Sequence, residues 1–346
     1  MRICVDTSAY STFMQGDRGV KELLESADQV LDWLLLGDPV IRWQTLRDLE
    51  GADPSVVESE RARIAVKGWG AGLLALQQPD GLWAGGLYSP KWISTTYTML
   101  LLRRCGLSPD NEQARTSCRL LLDRGFYRDG GINYFRSFKH SETCVTGMIL
   151  SILAHFRIDD QRVGRLVQHL LEQQMPDGGW NCESYKGATH SSLHTTISVL
   201  EGLWEYERSR IKNPAKPVRD DQQSFIREIQ EAQAKGREFL LQHRLFRSHR
   251  SGEIIDARMT RLSFPPRWRY DVLRALDYFQ QCGADTDDRI EDAVGVVLKK
   301  RRPDGRWPLQ NRHPGRSHFE MEKVGQPSRW NTLRALRVLR WYRGLH

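Results

Sequence analysis

The chain has 346 residues, 40% of them apolar and 27% charged, with a formal net charge of +8. That is enough apolar material for a large core in one repeat-built domain or two ordinary ones. The absence of any run of about 18 apolar residues excludes a membrane-spanning helix. The start, Met1-Arg2-Ile3-Cys4-Val5-Asp6, is too short and too acidic for a secretion signal. Six cysteines without a CxxC pair read as free thiols of a reducing, cytoplasmic compartment. The arginine excess forms no basic block and no RNA-binding signature, so no nucleic-acid partner is expected.

Beyond residue 30, apolar residues recur at i, i+3, i+4 and i+7 in six segments, beginning at Pro39, Lys91, His140, His190, Arg267 and Arg329. More charged amphipathic stretches alternate with them: Val20–Leu36, Ser55–Gln77, Asn111–Leu122, Gln161–Gln174, Gln222–His243 and Asp288–Lys300. The phrase Pro-Asp-Gly-x-Trp, once with an extra Gly, closes three of these: Pro79-Asp80-Gly81-Leu82-Trp83, Pro176-Asp177-Gly178-Gly179-Trp180 and Pro303-Asp304-Gly305-Arg306-Trp307. Repeats at a fixed phase mean one unit stacked many times. The alternation predicts an all-α fold, an α/α toroid of six inner and five to six outer helices over residues 31–346, with Ile211–Asp221 as an exposed linker. Inner helices of such a ring run parallel, so their N-termini meet at one mouth. There, unpaired N–H groups and helix dipoles favour anions.

The Gln-x-Pro-Asp-Gly-x-Trp phrases resemble the QW repeats of the prenyltransferase and squalene–hopene cyclase superfamily, in which a Gln and a Trp tie each helix end to its neighbour. The resemblance covers about residues 31–346. It implies an isoprenoid-handling enzyme of prenyltransferase or terpene-cyclase type, binding a prenyl diphosphate in the toroid's cavity, with no partner beyond transient contact with a membrane surface. Residues 1–30 look different. Ile3-Cys4-Val5-Asp6-Thr7-Ser8-Ala9-Tyr10, followed by Val20-Lys21-Glu22-Leu23-Leu24, is similar to the first strand and helix of a PIN-domain toxin nuclease, with Asp6 as that family's first metal-binding acid. One carboxylate cannot hold catalytic Mg²⁺, which implies a remnant whose helix serves the outer ring.

Asp285-Thr286-Asp287-Asp288 matches the DxDD acid of squalene–hopene cyclases letter for letter. The repeat phase places it before an outer helix, where Asp287 and Asp288 read as solvent-facing caps, so a squalene-protonating cyclase is disfavoured. Asp271 is the lone Asp near an inner-helix start, and Arg267 and Arg269 would lower its pKa. With Tyr97 and Tyr270 it forms the candidate catalytic set. Trp43, Trp92, Trp268 and Trp330 would line an apolar pocket and face a carbocation, while Arg42, Lys91, Arg267 and Arg329 would hold a diphosphate. The loop Pro308–His318 would cover the mouth as a lid or anion clamp, or lie on the surface as an ordinary loop.

The resemblance to prenyltransferase β-subunits further implies zinc, held by Glu142, Cys144 and His194, with His140, Cys182 and His190 as competing donors. Read from the residues alone, Cys144 serves equally as a small core residue and His194 as a carbonyl partner. Two alternatives stay open: a non-catalytic toroid that binds a lipid or a partner, and zinc thiol chemistry of the lanthipeptide-cyclase kind.

Overall fold

The structure, a computed structural model, describes residues 28–135, 137–211 and 220–344. Asp6, the rest of residues 1–27 and most of the Ile211–Asp221 linker lie outside the described residues. Within them the fold is all-α, with β-bridges only as isolated pairs. Among the described residues, no helix is long and apolar enough to cross a membrane.

Helical residues 28–35 (α1) lead into α2 (Pro39–Thr45), which continues as a π-helical turn, Leu46–Glu50. Asp38 caps α2 by accepting the Val40 N–H at 3.1 Å, with Pro39 in the first turn where its missing N–H costs nothing. Then follow α3 (Pro54–Ala62), α4 (Gly68–Leu74), α5 (Thr95–Cys105), α6 (Glu112–Gly125), α7 (Thr143–His155) and α8 (Gln161–Glu172). The chain ends with α9 (Leu193–Ile211), α10 (Asp220–Gln242), α11 (Val272–Gln281), α12 (Glu291–Leu298) and α13 (Arg329–Tyr342).

The stretch expected as one helix over Ser55–Gln77 is two, α3 and α4. Gly68 breaks it, at φ +73° and so close to Asp38 that a Cβ would sit 2.1 Å from the carboxylate. Four inner helices start three to five residues later than the periodicity predicts, because the residues ahead of them are committed to the preceding loop.

The hydrogen bonds of the Trp phrases explain that commitment. Trp83, Trp180 and Trp307 each donate their indole N–H, at 2.7 Å, to the carbonyl ten residues back: Leu73, Leu170 and Val297. Each donates its main-chain N–H, at 3.0 Å, to a threonine in the first turn of the next inner helix: Thr95, Thr196 and Thr332. All three indoles are fully buried. Each phrase thus fixes an outer-helix end and an inner-helix start at once. Gln77 and Gln174 extend the clamp sideways to Ser117 of α6 and the Ala232 carbonyl of α10. A fourth copy is present without its tryptophan. In Asp129-Gly130-Gly131-Ile132, the Ile132 N–H reaches Thr146 Oγ1 at 3.0 Å.

The inner helices close into a ring in the order α2, α5, α7, α9, α11, α13. The indole of Trp43 in α2 donates to the Cys105 carbonyl ending α5, and α5, α7 and α9 pack side by side. Arg274 of α11 pairs with Glu201 of α9; Arg334 and Arg337 of α13 pair with Asp277 of α11, and Arg337 also reaches Gln44 and Asp48 beside α2. The outer helices α6, α8, α10 and α12 pack behind this ring. The fold is an α/α toroid whose inner seam, at α9, α11, α13 and α2, is ionic as well as apolar.

Candidate functional site

The N-terminal mouth, where the expected site residues cluster, is filled. Trp92 is buried, and its indole donates to the Pro314 carbonyl at 2.7 Å. His318 shares a hydrogen bond with Thr98 at 2.9 Å. Gly315 lies so close that a Cβ there would meet the Trp92 ring at 2.7 Å. The loop Pro308–His318 therefore covers the mouth as its composition suggested. Beneath it lies a pocket of about 30 Å³, bordered by Trp92, Arg267, His318 and Phe264, room for about two waters.

Most of the expected substrate-binding and catalytic residues are occupied by the fold. Arg42 pairs with Glu60 at 2.8 Å and donates to the Gly37 carbonyl. Arg267 donates to the Trp92 carbonyl at 3.2 Å, and burial brings its guanidinium down to about 10. Arg329 and Arg306 both lie 4.4 Å from the ring of Trp33, and Arg329 also donates to the Trp33 carbonyl. Lys91 is exposed between Trp92 and Trp268, about 5.7 and 5.9 Å from their rings. Tyr97 is buried against Tyr88 and Trp92, and burial pushes its phenol up. Tyr270 donates its hydroxyl to the Leu245 carbonyl at 2.6 Å.

Asp271 is the N-cap of α11, accepting the Arg274 N–H at 2.8 Å. Burial raises its carboxyl; Arg334 and Arg274 oppose this without reversing it, whereas the sequence pointed to a lowering by Arg267 and Arg269. Of the two caps expected in the DxDD stretch, Asp287 is one, and Asp288 lies in the turn that it caps. Asp287 accepts the Arg289 N–H and pairs with its guanidinium at 2.8 Å, while Asp285 and Asp288 are exposed.

The expected zinc donors are not brought together. Among the described residues, no group of three or more His, Cys, Asp or Glu side chains is placed to hold a metal ion. His194 Nδ1 accepts the Tyr270 N–H at 2.8 Å, and burial together with Arg274 and Arg269 brings the imidazole down to about 4. Contact with Cys182 and burial push the Cys144 thiol up, and the Cys144 main-chain N–H donates to Cys182 Sγ at 3.0 Å. His140 stacks on Tyr185, with ring centroids 3.6 Å apart, and His190 faces Arg250. These residues do not fit a zinc ion.

The large cavity opens at the other end of the ring. It measures about 900 Å³ and lies among the later turns of α5 and α9 and the middles of α11 and α13. Phe264 borders both it and the small pocket under the mouth, and its ring stacks on Trp330 at 4.2 Å, so this aromatic pair is the floor between them. Trp43 and Trp330 thus line this cavity and not the mouth.

Ten arginines and five carboxylates line the cavity, an excess of positive charge. Glu201, 8% exposed, is the hub. It accepts from Arg104 at 2.8 and 3.0 Å, from Arg274 at 2.8 and 3.0 Å, and from Arg103 at 3.4 Å. Burial alone would raise this carboxyl; the three arginines outweigh it and hold Glu201 far below the usual range. Glu205, between Arg103, Arg208 and His155, and Asp277, between Arg334 and Arg337, are held down in the same way. The cations feel the imbalance: burial and the neighbouring Arg274, Arg103 and Arg334 bring Arg104 down to about 10 despite Glu201. Among the described residues, three donors bordering the cavity are buried without any hydrogen-bond partner, Arg103 Nε, Arg334 Nη2 and Trp330 Nε1. Such groups cost free energy unless something satisfies them.

The sequence reading missed these residues. Their signal was present as charges inside otherwise apolar inner helices: Arg103-Arg104 after three leucines, Glu201 and Glu205 at i, i+4, and the pairs Arg274/Asp277 and Arg334/Arg337 at i, i+3.

No protein-family model matches the chain, and no curated protein does. Among solved structures it is similar to the type II terpene cyclase MstE from Scytonema. A variant in complex with merosterolic acid A shares 14% identity, covers 83% of this chain and 97% of that one, and gives a TM-score of 0.34. The apo form shares 15% identity over 81% and 96%, with a TM-score of 0.33. A variant in complex with geranylgeranyl dihydroxybenzoate shares 13% identity over 83% and 97%, also at 0.33.

Proposed function

We propose that the protein binds an amphiphilic anion in the central cavity of the toroid, a prenyl diphosphate being the ligand class that fits. The observation that supports this is the buried, under-neutralised guanidinium cluster of Arg103, Arg104, Arg274 and Arg334 on the wall of a 900 Å³ cavity. Guanidinium forks match phosphate oxygens in bidentate geometry, and a desolvated cluster favours a multiply charged group over a single carboxylate. The apolar part of the ligand would lie against Trp43, Trp204, Phe264 and Trp330, which share the cavity.

Three carboxylates of the wall, Glu201, Glu205 and Asp277, are held ionised by their cationic neighbours, so none of these three is a proton donor near neutral pH. Chemistry begun by protonating an alkene finds no acid among these three. Chemistry begun by loss of diphosphate, or simple retention of the ligand, is compatible with the wall.

Calorimetric titration tests the reading with geranylgeranyl diphosphate, geranylgeraniol and inorganic pyrophosphate. The diphosphate should bind at least tenfold more tightly than the alcohol and more tightly than pyrophosphate. Equal binding of alcohol and diphosphate, or binding of neither, overturns the proposal. Chromatography of the recovered ligand separates turnover from retention.

A further inference from the structure

Two cysteines uninvolved in the cavity meet at the other end of the ring. Cys144 is the second residue of α7, and Cys182 lies in the loop that follows Trp180. Cys182 Sγ accepts the Cys144 main-chain N–H at 3.0 Å and the Thr195 hydroxyl at 3.5 Å. Glu142 gives α7 no side-chain cap, so the sulfur of Cys182 occupies the acceptor position at the helix entry. Two donors converging on one sulfur, the Thr195 hydroxyl and a helix-terminal N–H, are an arrangement that stabilises a thiolate.

The position is held rigidly. The indole of Trp180 is fixed to Leu170, and the Trp180 carbonyl accepts the Ser192 N–H at 2.8 Å. Both cysteines are half-buried. Cys105 and Cys118, by contrast, are fully buried, and Cys282 donates to the Phe279 carbonyl.

We propose that Cys182 and Cys144 are a redox-active dithiol that reacts with hydroperoxides, Cys182 attacking and Cys144 resolving. The Cys182 thiolate attacks one peroxide oxygen and the O–O bond breaks. Hydrogen peroxide is reduced by two electrons, one oxygen leaves as water after taking up a proton, and the sulfur becomes a sulfenic acid. The Cys144 sulfur then attacks it: an S–S bond forms, the S–O bond breaks, and the oxygen leaves as a second water with the Cys144 proton. Two thiols and one hydrogen peroxide give one disulfide and two waters. The bond ties the entry of α7 to the loop that leads into α9, its neighbour in the ring.

The test treats the reduced full-length protein with one to two equivalents of hydrogen peroxide, alkylates the remaining thiols in denaturant and maps tryptic peptides by mass spectrometry. The expected main product links peptides 140–157 and 166–186, with Cys105, Cys118 and Cys282 alkylated. In Cys144→Ser, dimedone should label Cys182; in Cys182→Ser, Cys144 should stay unlabelled. Two free thiols after excess peroxide, oxidation spread evenly over the cysteines, or dimedone on Cys144 but not on Cys182 would each overturn the assignment.

Discussion

Replacing Glu201 by glutamine removes one negative charge from the centre of the ring and changes almost nothing in shape. Three guanidiniums, Arg103, Arg104 and Arg274, then lose the carboxylate they share. Removing one partner of a buried ion pair costs about 3–5 kcal/mol, because the other charge stays behind without compensation. A chain of 346 residues unfolds with an entropy of roughly 0.7 kcal/mol/K at the usual value per residue, so the melting temperature should fall by about 4–7 °C. The same logic makes the variant greedy for anions: 1 mM pyrophosphate should raise its melting temperature more than that of the wild type. Adding Arg104→Met to Glu201→Gln should recover part of the loss. Differential scanning calorimetry reads all three. A loss under about 1 kcal/mol, or an anion effect no larger in the variant, would refute the picture of an under-neutralised cluster.

Acid should destabilise the protein in two stages. His194 and His313 are both brought down from 6.5 to about 4, chiefly by burial, so the unfolded chain binds more protons than the folded one between those values. Stability should therefore fall as pH drops from 6.5 toward 4, by up to about 1.4 kcal/mol per pH unit for each group, and His194→Asn, which keeps an acceptor for Tyr270, should flatten that slope in denaturant titrations. Below the ordinary glutamate value of 4.5, protonation of Glu201 and Glu205, whose folded values are lowered, should accelerate the loss. Trp180→Phe keeps the ring but strands the Leu170 carbonyl, and should cost about 1–3 kcal/mol in chemical denaturation. Gly178→Ala, at φ +89° with Lys235 O 2.7 Å from the new Cβ, should destabilise by more than 1 kcal/mol, whereas Gly164→Ala, in open space on α8, should stabilise by about 0.5–1 kcal/mol.

The architecture was legible because it is written in periodicity and in the Trp phrases, both local signals. The phrases even mark their hydrogen-bond partners, the carbonyl ten residues back and the threonine of the next helix. What stayed hidden was which end of the ring is open. That depends on whether Pro308–His318 fills the mouth, and a contact such as Trp92 to Pro314, 222 residues apart, leaves no trace in either local sequence. Helix dipoles made the N-terminal mouth the natural place for an anion, yet the backbone N–H groups there are used: Tyr270 N–H by His194, Cys144 N–H by Cys182. The expected zinc triad failed for a related reason. Equal phase along the chain put Glu142, Cys144 and His194 at the same level of the ring, but His194 and Cys144 had nearer partners in Tyr270 and Cys182, and Glu142 Oε2 is buried without a hydrogen-bond partner among the described residues. The charged cavity could have been found by asking why an inner helix carries Arg103-Arg104 or Glu201 and Glu205, a question that needs no homologue.

The most direct measurement is a crystal structure of the protein grown with geranylgeranyl diphosphate. The account predicts phosphate density between Arg104, Arg274 and Arg103, with the prenyl chain running along Trp43, Trp204 and Trp330. Density at the N-terminal mouth, beside Trp92 and Arg267, or a central cavity that stays without ligand at saturating concentration, would contradict it.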